Sequence, residues 1–380
     1  MQNQPLTLLG NITPSQFLAD YWQKKPLLIR NAIPAFKGLL SANDLAGLSC
    51  EDDVEARMIK HLKGKWQVIE GPFDEDIFNT LPEKDWTLLV QSVNHHLPEA
   101  AILLAQFNFI PHSRLDDLMV SYAPDGGGVG PHFDSYDVFL LQGTGKRLWR
   151  LSEQQDLNLV EDAPLKILKN FVTDQEYILE AGDMLYLPPQ VAHWGIAVGE
   201  CMTYSIGFRA PLAQELGIEF LNFIQEKINL VGLYQDPNLT LQTHPSNISN
   251  NMVTQASDIL KNITWDDDVI GEFLGMYLSE PKSNVIFEKP RKLSIEKFNQ
   301  LLLQKPIFLA LKSQMLCYQS LCFINGEKLQ IPNILFESMQ KLADLRYLNV
   351  TKENLSANNL TNLSKLLHAY YLIGYLTFKH

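Results

Sequence analysis

The chain has 380 residues, 46% of them hydrophobic and 19% charged, an ordinary globular composition with material for two or three domains. Lys and Arg total 31 against 43 Asp and Glu, a formal charge of −12, which argues against direct nucleic-acid binding and leaves room for a basic protein partner. Four cysteines make no disulfide framework at this size, and no basic-then-apolar leader or membrane-length apolar run is present, so a cytoplasmic protein without membrane contact is expected.

Thr13-Pro14 starts the first helix, with Phe17, Leu18, Tyr21 and Trp22 on one face, and Pro26 stops it. Leu27-Leu28-Ile29 reads as a buried strand, and Ser41 opens a second helix. Strands flank a Lys63-Gly64 turn, another is expected at Trp86–Val90, and a helix follows within 97–107. Between Ser121 and Arg209 the chain is a succession of short strands broken by turns, with 147–151 returning after Gly143-Thr144-Gly145. This spacing predicts a jelly-roll or cupin barrel.

After Pro211 the pattern turns helical, from Leu212 to Val231 and, beyond a polar loop, from Met252 to Leu278. The Asn325-Gly326 turn between two apolar runs, with helical segments around it, is compatible with a winged helix. The expected division is a catalytic region at 1–211, a helical region at 212–280 and a winged-helix-like domain at 281–380. Cys317 and Cys322 are a close pair without a second cluster to complete a zinc site, and they read as reduced core thiols.

The chemistry points to Gly126-Gly127-Gly128-Val129-Gly130-Pro131-His132-Phe133-Asp134. Residues two apart on a strand face the same way, so His132 and Asp134 reach one metal while Phe133 turns toward the barrel wall. His-x-Asp alone is a weak signal, but His193 lies near the end of the strand series, where a jelly roll brings distant strands together. Two imidazoles and one carboxylate are the facial triad of non-haem iron. Arg147 is a candidate bidentate partner for a dicarboxylate cosubstrate, with Lys146 competing for that role, and Ser121 adds a hydroxyl. His95-His96 has no acidic partner at useful spacing and is read as two surface or helix-end histidines.

The stretch GGGVGPHFDSYDVFLLQGTGKRLW, together with FLADYWQKKPLLIRNA near the start and EAGDMLYLPPQVAHWGIAV at 180–198, resembles the bacterial JmjC-type ribosomal oxygenases of the cupin-like 2-oxoglutarate dioxygenase superfamily. The fold implied is α+β: a double-stranded β-helix core, a helical dimerisation region and a C-terminal winged helix. The resemblance implies that His132, Asp134 and His193 hold Fe(II), that Arg147 and Ser121 hold 2-oxoglutarate, and that O2 is the second cosubstrate. The implied substrate is a ribosomal protein side chain, foremost an arginine of large-subunit ribosomal protein sixteen, and the enzyme would act as a homodimer. Histidine hydroxylation and lysine demethylation are the competing chemistries, and a non-catalytic dimeric binding module is the competing class. For an arginine substrate, Asp125 or Asp137 would meet the guanidinium, with Tyr122 and Tyr136 along its stem. The glycines would let the backbone of a substrate approach the metal.

Overall fold

The structure, a computed structural model, describes residues 3–353 and 355–379. Thr13 caps α1 (Pro14–Asp20) through a capping box with Gln16, a device that stabilises by about 1 kcal/mol. β1 (Leu27–Ile29) follows, then α2 (Ala42–Leu48) behind a second capping box from Ser41 to Asp44. Next come β2 (Ala56–Leu62), β3 (Lys65–Glu70), β4 (Trp86–Val90), α3 (Pro98–Ala105) and β5 (Leu115–Ala123). The strand series expected to close the barrel is β6 (Val138–Gln142), β7 (Lys146–Ser152), β8 (Gln175–Leu179), β9 (Met184–Leu187), β10 (Ala192–Val198) and β11 (Cys201–Phe208).

These strands form an eight-stranded sheet in the order β1-β9-β6-β11-β5-β4-β2-β3 and a three-stranded sheet in the order β10-β7-β8. All of their pairings are antiparallel. β7 does not return beside β6 as the glycine turn suggested. Its partners are β10 and β8, so residues 143–145 carry the chain from one sheet to the other, the crossing that turns a meander into a double-stranded β-helix.

Period-2 alternation assigns each sheet residue to a face. On the outer face of the large sheet lies an aromatic core in which Phe17, Phe139 and Tyr186 are fully buried, with the Tyr186 ring centroid 4.9 Å from both phenylalanines. Such pairs contribute about 0.5–1.5 kcal/mol beyond area burial. Leu18 points outward instead and is exposed. Between the sheets, Val138, Leu140, Trp149, Leu151, Leu179, Leu185 and Leu187 form a second, smaller core.

Farther along come α4 (Ala213–Gln225), α5 (Asn250–Leu260), α6 (Asp267–Ser279), α7 (Ile295–Leu302) and β12 (Ile307–Leu309). β13 (Met315–Tyr318), β14 (Leu321–Ile324), β15 (Glu327–Lys328) and α8 (Phe336–Leu345) lead to β16 (Tyr347–Leu348), α9 (Ala357–Leu372) and β17 (Leu376–Thr377). α4 stops at Gln225, short of the expected Val231, and Asn229 and Gly232 just beyond it are poor helix formers.

The chain makes two compact units: Met1–Ala210 with Pro281–Ser313 and Asp344–His380, and Pro211–Glu280 with Gln314–Ala343. In the second, Phe220 and Phe223 of α4 pack on Phe273 of α6 at 5.3 and 5.5 Å, and Glu272 pairs with both Lys227 and Lys328 at 3.0 Å. Asn325 and Gly326 both have positive φ, +50° and +85°, as a two-residue turn between β14 and β15 requires. Among the described residues, no helix is long and apolar enough to cross a membrane.

Candidate metal and cosubstrate site

The first unit holds a cavity of about 520 Å³ between the eight-stranded sheet and the β10-β7-β8 sheet. His132, Asp134 and His193 line it, and their ligand atoms lie within 4.8 Å of one another. Among the described residues this is the one group of three His, Cys, Asp or Glu side chains that could hold a metal ion. His193 sits on β10, but His132 and Asp134 are not on a regular strand. His132 makes a single antiparallel bridge to His193, with backbone N–H···O distances of 2.9 and 2.8 Å, and Asp134 follows in the loop. That bridge places the two imidazole centroids 4.2 Å apart. Phe133 lines the cavity and does not turn into the barrel wall.

The glycine run serves this geometry from inside. A Cβ on Gly128 would stand 2.3 Å from the carbonyl oxygen of Gly195 on β10, and one on Gly127 would stand 2.0 Å from that of Trp86. Neither position tolerates a side chain. The segment lies against β10, where Gly126 N–H donates to the Ala197 carbonyl and Ala197 N–H to that of Gly127. Close approach of backbone to backbone, rather than access for a substrate, is what these glycines provide.

Each imidazole is oriented by its own loop. His132 Nδ1 lies 2.9 Å from the Gly130 carbonyl and His193 Nδ1 2.9 Å from that of Val191, so each Nδ1–H donates and leaves Nε2 for a ligand. His193 Nε2 is 3.7 Å from Asp134 Oδ2. Burial, then the neighbouring His132, pushes His193 down to about 4, so it is neutral at physiological pH, as a metal ligand must be.

Arg147 projects into the cavity from β7, whereas the adjacent Lys146 pairs with Glu180 on the surface at 2.6 Å. Arg147 is 6% exposed, and its Nε and Nη2 are buried without a partner. Leaving such donors unsatisfied costs about 1–3 kcal/mol each, more for a charged group, so the guanidinium has donors to offer an acceptor such as a carboxylate in the cavity. Trp149 Nε1 is likewise buried and unpartnered nearby. Ser121 lines the same cavity from β5, its hydroxyl 3.5 Å from the Thr203 carbonyl, too long a contact to hold it. An orphaned guanidinium beside a His-Asp-His group fits a metal with a carboxylate cosubstrate.

Of the residues expected to meet the substrate, Asp125, Asp137 and Tyr122 lie outside the cavity. Asp125 is outside the cavity lining, and its Oδ1 accepts from Gly199 N–H at 2.8 Å, bracing the turn between β10 and β11. Asp137 is fully buried on the outer side, where it accepts from Tyr186 Oη at 2.6 Å and Gln23 Nε2 at 2.9 Å. Tyr122 packs against Trp86 on that same side, centroids 5.5 Å apart, as its even position on β5 dictates. Tyr136 does line the cavity.

Besides Asp134, the carboxylates at the cavity are Glu55, Asp116 and Asp117, and besides Arg147 its cations are Arg57, Lys166 and Lys282. Asp117 accepts from Ser92 N–H and Oγ at 2.8 and 2.9 Å, and Lys282 Nζ reaches Asp116 at 3.4 Å and Asp117 at 3.7 Å. Burial opposes the charge on Lys282, but the two aspartates outweigh it and keep the ammonium charged. Two adjacent acids inside the apolar run Leu115-Asp116-Asp117-Leu118-Met119-Val120 were a readable signal, since unpaired charge is rarely buried. Lys282 gave none, because only the fold brings it to β5. His95 and His96 gather no third ligand among the described residues, and burial, then His96 and nearby cations, pushes His95 down to about 3.

Comparison with known proteins identifies the family. The JmjC domain family matches residues 102–216 and the ROXA-like winged helix matches 262–377. The chain is 35% identical to the ribosomal protein uL16 3-hydroxylase of Escherichia coli, over 72% of this chain and 73% of that protein. The chain belongs to the JmjC-type ribosomal oxygenases. It is therefore an enzyme, a dioxygenase of the cupin-like 2-oxoglutarate superfamily, and the non-catalytic binding module is set aside. It is also 41% identical to a probable ribosomal oxygenase of Haemophilus influenzae, over 61% of this chain and 56% of that one. The solved structure of YcfD, a ribosomal oxygenase from Escherichia coli, superposes with a TM-score of 0.82 at 30% identity over all of both chains. Another YcfD structure holds cobalt and 2-oxoglutarate.

Proposed function

We propose that this ribosomal oxygenase is an Fe(II)- and 2-oxoglutarate-dependent hydroxylase of an arginine in ribosomal protein uL16, the large-subunit protein sixteen. The observation that carries the reading is the pairing, in one cavity, of the His132, Asp134 and His193 group with an Arg147 whose buried donors have no protein partner. The YcfD complex with cobalt and 2-oxoglutarate supports the same occupancy, and the name of the uL16 3-hydroxylase supports the substrate.

In this reading His132 Nε2, His193 Nε2 and an Asp134 oxygen would hold the metal, a ligand set that leaves coordination positions for the cosubstrates. Bound there with 2-oxoglutarate and O2, Fe(II) supplies the chemistry that puts one oxygen atom into an unactivated C–H bond. The chain supplies position. Gly130 and Val191 carbonyls fix the imidazole tautomers, Arg147 orients the far carboxylate of the cosubstrate with help from the Ser121 hydroxyl, and the apolar walls around Leu140 and Trp149 exclude water. Asp116, Asp117 and Glu55 offer carboxylates for a guanidinium, and Lys282 occupies two of them in the absence of substrate.

The helical segment is the natural dimer contact. Leu221 of α4 is 60% exposed, and Val231 and Leu233 beyond it are 93% and 85% exposed, apolar area that a second copy would cover. The net negative charge favours a basic protein substrate over nucleic acid. The test is incubation with Fe(II), 2-oxoglutarate and intact ribosomes or a uL16 peptide. A gain of one oxygen on an arginine is expected; a gain on a histidine, or release of formaldehyde, would move the assignment to the competing chemistries.

A further inference from the structure

The second unit carries two thiols that the oxygenase reaction does not use. Cys317 on β13 and Cys322 on β14 are direct register partners, with their sulfur atoms 2.9 Å apart. Residues opposite each other in an antiparallel pair have Cα atoms about 4.5–5.5 Å apart, inside the window of about 4.4–6.8 Å that a disulfide requires. Cys317 is half-buried and Cys322 fully buried. The hairpin that holds them is pinned to α6: a Cβ on Gly271 would stand 2.1 Å from the Tyr318 ring, and one on Gly275 would stand 2.2 Å from the Phe323 ring. Two sulfurs are thus held at near-bonding distance by rigid neighbours, with one of them within reach of solvent.

We propose that Cys317 and Cys322 are a reversible oxidation site, closed to a disulfide by hydrogen peroxide. Cys317, the accessible thiol, attacks the peroxide and becomes a sulfenic acid as the O–O bond breaks and water leaves. The Cys322 sulfur then attacks Cys317, the S–O bond breaks, and the second thiol proton leaves with the hydroxyl as water. Two thiols and one peroxide give one disulfide and two waters. The closed ring spans only the turn around Gln319 and Ser320, so the bond restricts the unfolded chain little, and cellular thiols can reopen it. The other cysteines make poor competitors. Cys201 is fully buried, and burial, then Glu75, pushes the Cys50 thiol up.

The test uses the full-length protein. After hydrogen peroxide treatment and alkylation with iodoacetamide, peptide mapping should show Cys317 and Cys322 cross-linked in most molecules, with a mass loss of two hydrogens. Cys50 and Cys201 should remain alkylated, and dithiothreitol should restore all four thiols. Cys322→Ser should instead leave a Cys317 sulfenic acid that dimedone traps. The proposal fails if the unmodified sequence keeps both thiols alkylatable while Cys50 or Cys201 oxidises, or if Cys317 runs on to sulfinic acid with Cys322 still free.

Discussion

The two faces of the eight-stranded sheet are built by the same strands to opposite ends. On β5, Leu118, Val120 and Tyr122 face the aromatic core, while Asp117, Met119 and Ser121 face the cavity. On β6, Phe139 is on the outer side and Leu140 on the inner. The outer face is dry and satisfied, so that even its buried carboxylate, Asp137, is met by Tyr186, Gln23 and Arg114. The inner face keeps the buried Nε of Arg57 on β2 unpaired, and the facing strand β7 adds the unpaired donors of Arg147 and Trp149. One face provides stability and the other spends part of it on a site whose partners arrive from outside.

The sharpest way to separate the faces is at the metal group. His132→Ala should bring turnover down to background while leaving the urea midpoint unchanged within error, because His132 is only half-buried and its backbone bridge to His193 survives. Succinate release and denaturant unfolding, run on the same preparation, check both halves. A large loss of stability would mean that the bridge, rather than the ligand, was the contribution of this position.

Phe139→Ala should do the reverse, costing about 3–5 kcal/mol through the cavity it opens in a fully buried aromatic cluster. Leu140→Ala, one residue away, enlarges a space that already exists and should cost nearer 2 kcal/mol. Equal losses at the two positions would break the contrast between the faces.

Arg147→Ala should raise the 2-oxoglutarate KM roughly 10–100-fold, the worth of a charged hydrogen-bonded anchor. Since the guanidinium has buried donors without a partner in the free protein, its removal should leave the thermal midpoint unchanged or higher. A lower midpoint with an unaltered KM would assign Arg147 to the core.

How much of this was legible follows the same division. Alternation and turn chemistry located the strands, and Thr13 and Ser41 marked the two N-terminal helices through their caps. His132, Asp134, His193 and Arg147 could be singled out by residue type and spacing, and the fold brings all four to one cavity. Partners set by sheet-to-sheet geometry were not readable. Asp125 and Asp137 flank His-x-Asp in sequence, yet one braces a turn and the other is buried on the far face, whereas Asp116, Asp117 and Lys282 reach the cavity from β5 and from 165 residues farther on. Sequence proximity to a motif says little once neighbouring residues alternate between faces.

The seam between the sheets belongs to neither face, and its contribution is smaller and depends on pH. Asp183, in the turn from β8 to β9, is 8% exposed and accepts from Asn31 N–H at 2.9 Å, Glu180 N–H at 3.1 Å and Arg30 Nη1 at 2.6 Å. Burial works against its charge, but these donors outweigh it and hold the carboxyl below the usual carboxylate range. A depressed folded value means that the charged form stabilises the fold above the unfolded value of about 3.9, and that this stability is lost as pH falls through the lower folded value. Arg30 is half-exposed and adds little, so the two backbone donors set the size of the effect. Asp183→Asn should therefore cost about 1.5 kcal/mol at neutral pH. Because the amide does not titrate, its deficit against the unmodified protein should shrink steadily in urea titrations taken below about pH 4. A deficit that stayed constant down to the acid limit would show that Asp183 acts by shape and hydrogen-bond count alone, and that the seam is as indifferent to charge as the aromatic face beside it.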